Sequence, residues 1–393
     1  MKQSAFLLLM VFCLQYANAQ QYKKLHFSSF LVDTHNDIPS SAIARKVAFD
    51  TNLKGNTHSD LNRMFEGGVD AQIFSIFCGG EQKQPFNFAN QEIDSVYEWV
   101  RRNPARMMLV SSPAELKKAI KEKKLAAMLG VEGGHMIEND LSKLDALYKR
   151  GVRYMTLTWN NSTAWATSAA DETTPGGALN AENKKGLTTF GKQVVKRMNE
   201  LGMMVDVSHL GEQSFWDVVS TSTKPVIASH SCVWNLCPHR RNLKDEQIKA
   251  IAQSGGVIFL NFYSGFIDST YEKKKERLIA MHQAEVDSII KTNVDRDYAA
   301  IMVAEKYKDD VKNLRPSLSV LIDHLDYIVR LVGVDHVGLG SDFDGIEAPP
   351  SELNGVEDYP LITKMLMERG YSKKDIRKIL GGNFMRVFKA CSI

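Results

Sequence analysis

The sequence predicts an α/β protein folded as a (β/α)8 TIM-type barrel. Three observations lead there. Eight apolar runs of strand length recur along the chain, helical patterns fill the spaces between them, and most runs are continuously apolar, as strands covered on both faces are. The runs are Phe30 to Val32, Ala71 to Phe77, Leu125 to Val131, Val152 to Leu157, Met203 to Val207, Pro225 to Ala228, Val257 to Phe262 and His336 to Leu339. Eight strand–helix units favour a closed barrel over a doubly wound sheet. A chain of 393 residues has room for one large barrel with insertions.

The helices read between these runs carry their own signals. Ser112 to Lys124 opens with an N-cap serine and Glu115 three residues on, a capping box. Lys184 to Leu201 and Ser317 to Val332 carry apolar stripes at helical spacing, the latter through Leu318, Leu321, Leu325 and Ile328. Between the seventh and eighth runs lies a highly charged stretch, residues 271–315, which includes Glu272-Lys273-Lys274-Lys275-Glu276-Arg277. It is expected to be a helical insertion over the barrel mouth or at a subunit contact, with a solvated helical hairpin as the plainer alternative.

The N-terminus reads as a leader. Lys2 supplies a positive start, Ala5 to Leu14 a short apolar core, and Ala17-Asn18-Ala19 a small-x-small cleavage site before Gln20. The apolar core is too short to span a bilayer, so residues 1–19 are expected to be a cleaved signal peptide. Residues 20–393 would then form a single exported barrel domain, periplasmic or secreted, with no stable membrane anchor.

Composition excludes several function classes. With 44% hydrophobic and 24% charged residues and a formal charge of +3, the chain is neither disordered nor collagenous. Its basic residues are spread too evenly to suggest a nucleic-acid partner. Only the N-terminus has a long apolar run, which excludes a multipass membrane protein. Of five cysteines, Cys78, Cys232, Cys237 and Cys391 follow the leader, too few for a disulfide framework. Export permits a Cys232–Cys237 bridge without demanding one. No C-x-x-C pair exists, so any metal must be held by histidine and carboxylate.

In barrel enzymes the reactive groups follow the C-terminal ends of the strands. After the first run come His35 and Asp37, after the third Glu132, after the fifth His209, after the sixth His230, and after the eighth Asp342. Three imidazoles and three carboxylates at one barrel mouth leave uncompensated negative charge unless a cation is bound. Nitrogen and oxygen ligands suit zinc, and the set is too large for one tetrahedral ion but fits two sharing a carboxylate. His35-x-Asp37 places two side chains on one side of an extended segment, where both reach one ion. Glu132, beside Gly133 and Gly134, is the expected bridge, and His209 and His230 complete the second ion. Each motif alone is weak; the signal is their joint placement at strand ends.

Together with His35-x-Asp37, the segments Glu132-Gly133-Gly134-His135, Ser229-His230-Ser231, Arg240-Arg241-Asn242, Asn261-Phe262-Tyr263 and Asp342-Phe343-Asp344-Gly345 resemble the renal (membrane) dipeptidase family of zinc peptidases. The resemblance runs nearly the whole mature chain, to Gly381-Gly382-Asn383-Phe384. It implies a metal-dependent hydrolase barrel with two zinc ions that cleaves dipeptides, often with a D-residue on the C-terminal side. Carried over by motif, His35 and Asp37 bind one zinc, Glu132 bridges, His209 and His230 bind the other, and Asp342 is the catalytic carboxylate. Asp342 is suited to hold the attacking water and carry its proton to the departing amine. An exopeptidase must read a free terminus, and Arg241 is the candidate for the substrate carboxylate. Tyr263 is placed with it in substrate binding.

The family's histidine after the fourth strand, which contacts the reacting carbonyl, is Trp159 here. Asn160 or Asn161 is expected to supply the missing amide donor. Other histidines receive plainer roles: His135 in a loop, His324 packed on a helix, and His26, His58, His239, His282 and His336 without a ligand role. The expected partners are dipeptides, and a homodimer stays open. Two alternatives remain: another dimetal amide or ester hydrolase, such as a deacetylase or lactonase, and a binding protein with reduced turnover.

Overall fold

The computed structural model describes residues 20–291, 299, 302–304 and 306–393. The expected signal peptide lies outside the described residues. Strands β1 (Val32–Asn36), β2 (Ala71–Phe77), β3 (Met107–Leu109), β4 (Leu125–Glu132), β5 (Val152–Thr156), β6 (Met204–Asp206), β7 (Val226–Ala228), β8 (Val257–Leu260) and β9 (Val337–Leu339) form one parallel sheet. Eight of them follow the order β1-β2-β4-β5-β6-β7-β8-β9, with helices on the connections. The fold is the (β/α)8 barrel that the apolar runs predict.

Closure depends on polar groups just beyond the strand ends. Asn36 bridges Phe343, the Asp342 amide donates to the His35 carbonyl at 3.1 Å, and the Asp37 amide donates to Phe343 at 2.9 Å. Buried Asp33 seals the same seam, accepting from the Ser341 amide at 2.9 Å and the Ser341 hydroxyl at 2.6 Å. The seam therefore holds β1 and β9 together where His35, Asp37 and Asp342 must meet.

β3 is the strand the sequence reading did not contain. It pairs beside the first residues of β4, Met107 with Leu125 through Leu109 with Ala127, before β5 takes over that edge at Leu129. Three residues are too few to show a period.

Alternate strand residues, among them Ile73, Met128, Tyr154, Ile227 and Phe259, pack with Phe384, Val387 and Phe388 of the C-terminal helix Asn383–Cys391. That helix touches β8 and β9 on one side and helix Pro113–Lys121 on the other, so it lies across the N-terminal end of the barrel. Helix Pro113–Lys121 starts at its expected cap, the Ser112 hydroxyl accepting from the Glu115 amide at 3.2 Å. Helix Leu318–Val332 buries Leu318, Leu321, Leu325 and Ile328 as its stripe requires.

In the charged insertion the described residues form helices Tyr271–Met281, Gln283–Ile290 and Lys308–Asn313. They enclose a small core of Val286, Ala299 and Val303. Cys78, Cys232, Cys237 and Cys391 are all buried free thiols; Cys232 donates instead to the Asn261 carbonyl at 3.1 Å and Cys237 to that of Gly265 at 3.4 Å. Among the described residues no helix is long and apolar enough to cross a membrane.

Candidate metal centre and substrate cavity

The strand-end residues converge as the sequence reading requires. His35 Nε2 lies 3.6 Å from Asp37 Oδ2, 3.3 Å from Glu132 Oε2 and 3.9 Å from Asp342 Oδ1. The other Glu132 oxygen faces the second pair: Oε1 is 2.8 Å from His209 Nε2 and 3.3 Å from His230 Nε2. Those two nitrogens are 3.0 Å apart. Ligands about 2.0–2.2 Å from one tetrahedral ion stand roughly 3.3–3.6 Å from each other. Three of the six spacings fall in that range, and the other three lie within 0.5 Å of it.

The donor atoms are also turned the right way. The Tyr154 hydroxyl donates to the Thr34 carbonyl at 3.1 Å and so accepts from His35 Nδ1 at 2.8 Å. The proton of His35 is thus fixed on Nδ1 and its Nε2 lone pair points into the cluster. His230 is set alike: Nδ1 lies 2.7 Å from the Ser229 hydroxyl, which itself donates to Asp206 at 2.6 Å. Asp206 is anchored by the amides of Ser229 at 2.8 Å and Ser208 at 3.1 Å, and by the Thr156 hydroxyl. His35 Nε2 and Asp37 Oδ1 are buried without a hydrogen-bond partner among the described residues. A buried lone pair of this kind asks for a cation.

Electrostatics carries the same demand. Burial works against an imidazolium at His35, yet Tyr154, Glu132 and Asp37 raise its pKa well above the ordinary value. Burial likewise opposes a charged Glu132, but His35, His209 and His230 outweigh it and hold the carboxyl well below its usual range. Asp342 is pushed well above the carboxylate range by burial and then by Asp37. Its Oδ2 accepts from Asn261 Nδ2 at 2.7 Å, which leaves Oδ1 facing the cluster.

Backbone strain marks the same strand ends. His209, Asp342 and Asp344 adopt φ of 65°, 63° and 67°, a left-handed region that L-residues with side chains rarely occupy. Hydrogen bonds hold them there: the His209 carbonyl accepts from the Ala169 amide at 2.8 Å and the Thr158 hydroxyl at 3.2 Å.

A cavity of about 950 Å³ opens over this cluster, lined by Asp37, Glu132, His209, Asp342, Trp159, Asn160, Arg241 and Tyr263 among others. Arg241 is 5% exposed. Its Nη2 donates to the His230 carbonyl at 3.1 Å and its guanidinium lies 5.5 Å from the Phe266 ring centre. No carboxylate stands within 4.0 Å of it among the described residues. It is a buried cation facing the cavity. The Trp159 ring leans on Phe77, centroids 5.0 Å apart. Asn160 lines the cavity, whereas the Asn161 side chain is turned toward Gly80 and the Ser162 carbonyl and is not part of the wall. Tyr263 donates to Glu272 at 2.6 Å, tying the rim to the insertion.

The sequence reading did not assign Tyr154, Ser229, Asp206 or Asn261. Ser229 and Asn261 stand there only within segments quoted for the resemblance, Tyr154 within an apolar run, and Asp206 as the one carboxylate inside the run Met203 to Val207. His324 is the packed helical histidine expected: Nδ1 accepts from the Val233 amide at 3.0 Å and Nε2 lies 3.0 Å from the Ile267 carbonyl.

Comparison with known proteins agrees with this geometry. The chain is 30% identical over 365 residues to dipeptidase 3 of Macaca fascicularis, covering 91% of this chain; it spans 64% of the length of that relative. Among solved structures it is similar to a probable dipeptidase, PvdM, from Pseudomonas aeruginosa (TM-score 0.79, 24% identity, 96% of this chain and 98% of that one). It is also similar to a metallo peptidase from Rhodobacter sphaeroides liganded with a phosphinate mimic of the dipeptide L-Ala-D-Ala (TM-score 0.74, 22% identity, 92% and 99%). At these identities the two structures speak for the fold. The model of one family matches residues 19–392, nearly every residue from β1 to the helix across the barrel floor, and by that match the chain belongs to the membrane dipeptidase family, peptidase family M19.

Proposed function

We propose that the protein is an exported, zinc-dependent dipeptidase that accepts a D-residue at the C-terminal position. The observation that carries the reading is the division of Glu132: one oxygen faces His35, the other faces His209 and His230. A carboxylate split in this way fits two ions with Glu132 between them, His35 and Asp37 on one, His209 and His230 on the other. Zinc, when bound, supplies an activated water at neutral pH and polarises the scissile carbonyl.

The chain's own residues do the rest. Asp342 Oδ1 takes the proton of the attacking water and delivers it to the departing amine, while Asn261 pins Oδ2. Arg241 grips the substrate carboxylate, and its burial strengthens that hold. Asn160, on the cavity wall beside Trp159, donates to the carbonyl oxygen in place of the family's histidine. Residues 20–393 act as one catalytic unit, and the reading of cleavage before Gln20 rests on the leader-like pattern of residues 1–19.

The test is metal analysis joined to a dipeptide assay. Two zinc ions per chain are expected, Glu132→Gln losing both together and His209→Ala losing one. Zinc-loaded protein should cleave L,L and L,D dipeptides and spare N-acetylated controls. Turnover of N-acyl amino acids or lactones with no turnover of dipeptides would place the protein among the other dimetal hydrolases. N-terminal sequencing of secreted protein should begin at Gln20.

A further inference from the structure

A second cavity, of about 420 Å³, adjoins the one over the metal centre and shares Arg45, Asp344 and Ile346 with it. The two differ in charge. The metal-centre cavity is lined by twice as many carboxylates as cations, whereas the second is lined by Arg45, Lys54, Arg63, Lys312 and Arg315 against only Asp344 and Glu357. Its two carboxylates are already engaged. Glu357 faces Arg63 at 3.3 Å and Lys54 at 4.0 Å, and buried Asp344 accepts from the His58 amide at 2.6 Å and the Ser59 hydroxyl at 2.5 Å.

Three cations are left without a carboxylate within 4.0 Å among the described residues: Arg45, Lys312 and Arg315. Arg315 is held in place by neutral acceptors, the carbonyls of Lys312 at 3.2 Å and Ser351 at 3.0 Å and Asn354 Oδ1 at 3.0 Å. Its Nη1 has no partner among the described residues. A fixed, half-buried guanidinium with a free edge is preorganised for a carboxylate.

Position identifies whose carboxylate. Arg45 ends the eight-residue helix Ile38–Arg45 that starts beside Asp37, about 12 Å away along the axis at 1.5 Å per residue. Arg241 lies on the loop after β7, three barrel strands from β1. A dipeptide with its C-terminal carboxylate at Arg241 and its scissile bond over the metal centre would have its N-terminal side chain on the β1 side, where Arg45 lines both cavities. We propose that this cavity is a subsite for an acidic side chain on the N-terminal residue, making the protein selective for Glu-Xaa and Asp-Xaa dipeptides. The inference rests on the dipeptidase reading.

The experiment compares kcat/KM for Glu-Ala, Gln-Ala, Ala-Glu and Ala-Gln on zinc-loaded protein. Glu-Ala should exceed Gln-Ala about fivefold or more, the scale of one or two exposed ion pairs, and the ratio should shrink as salt is raised. Arg45→Glu and Lys312→Glu should each lower or invert that ratio. Equal rates for Glu-Ala and Gln-Ala, a preference confined to Ala-Glu over Ala-Gln, or charge-reversed variants with an unchanged ratio would each overturn the subsite. A protein that binds zinc and cleaves none of the four overturns the dipeptidase reading instead.

Discussion

Tyr154 holds His35 by its far nitrogen: the phenol sits 2.8 Å from Nδ1 while giving its own proton to the Thr34 carbonyl. The nitrogen that faces the carboxylate cluster is therefore set by a residue on the other side of the ring. Tyr154→Phe strands the Nδ1 proton inside the barrel, and metal affinity is expected to fall about 10–100-fold. Chelator competition measures it. An unchanged affinity would show that the phenol only fills space.

Asp342 and Asn261 form a second pair, joined at 2.7 Å. Asp342→Asn should keep its metal and lose on the order of a hundredfold or more in kcat, the usual worth of a placed proton carrier. Asn261→Ala leaves the carboxylate in place but loose, so a smaller loss in kcat with little change in KM is expected. Stopped assays on metal-quantified protein separate the two. Full activity of Asp342→Asn would remove that residue from the chemistry.

The strand-end cluster was legible in the sequence because its signal is local. Each proposed ligand closely follows a run of buried apolar residues, and the barrel brings all such positions to one mouth. Tyr154 was not legible, since an aromatic residue inside the run Val152 to Leu157 reads as core until its hydroxyl is seen to meet His35. Arg241 is singled out in the sequence by the resemblance and not by its surroundings, because what buries it, Phe266 and the His230 carbonyl, comes from other segments. Asn160 and Asn161 are equivalent in sequence; only the backbone path turns one to the cavity and the other away. Met107–Leu109 is too short to carry a period at all.

Arg241→Ala should raise KM for dipeptides with a free C-terminal carboxylate and leave the corresponding amides nearly unaffected. Arg241→Lys should recover part of the loss, since an ammonium lacks the two-pronged grip. Steady-state kinetics on a dipeptide and its amide decide the matter: equal effects on both count against the assignment.

Far from the site, Asp70 accepts from the Leu31 amide at 2.8 Å, and burial pushes its carboxyl up to about 6. The folded state thus holds this proton more tightly than the unfolded chain, whose Asp titrates near 3.8. Between these values rising pH removes stability through this group, and above about pH 6 the whole penalty is present. Asp70→Asn keeps an acceptor for Leu31 without the charge. Its gain in Tm over the parent should be larger at pH 7.5 than at pH 4.5, and a gain independent of pH would contradict this account.

Gly130 gives Tyr154 its place. A β-carbon on Gly130 would lie 2.1 Å from the phenol ring, so the tyrosine reaches His35 only because the neighbouring strand presents no side chain there. The two positions are locked to each other: a methyl at 130 requires a smaller residue at 154, and with it a different partner for His35. In relatives of this chain, a residue larger than glycine at 130 should therefore travel with the loss of the tyrosine and with a new acceptor beside the histidine at position 35. A change that reads on paper as the mildest of core substitutions would in this barrel be inherited as a change in metal chemistry.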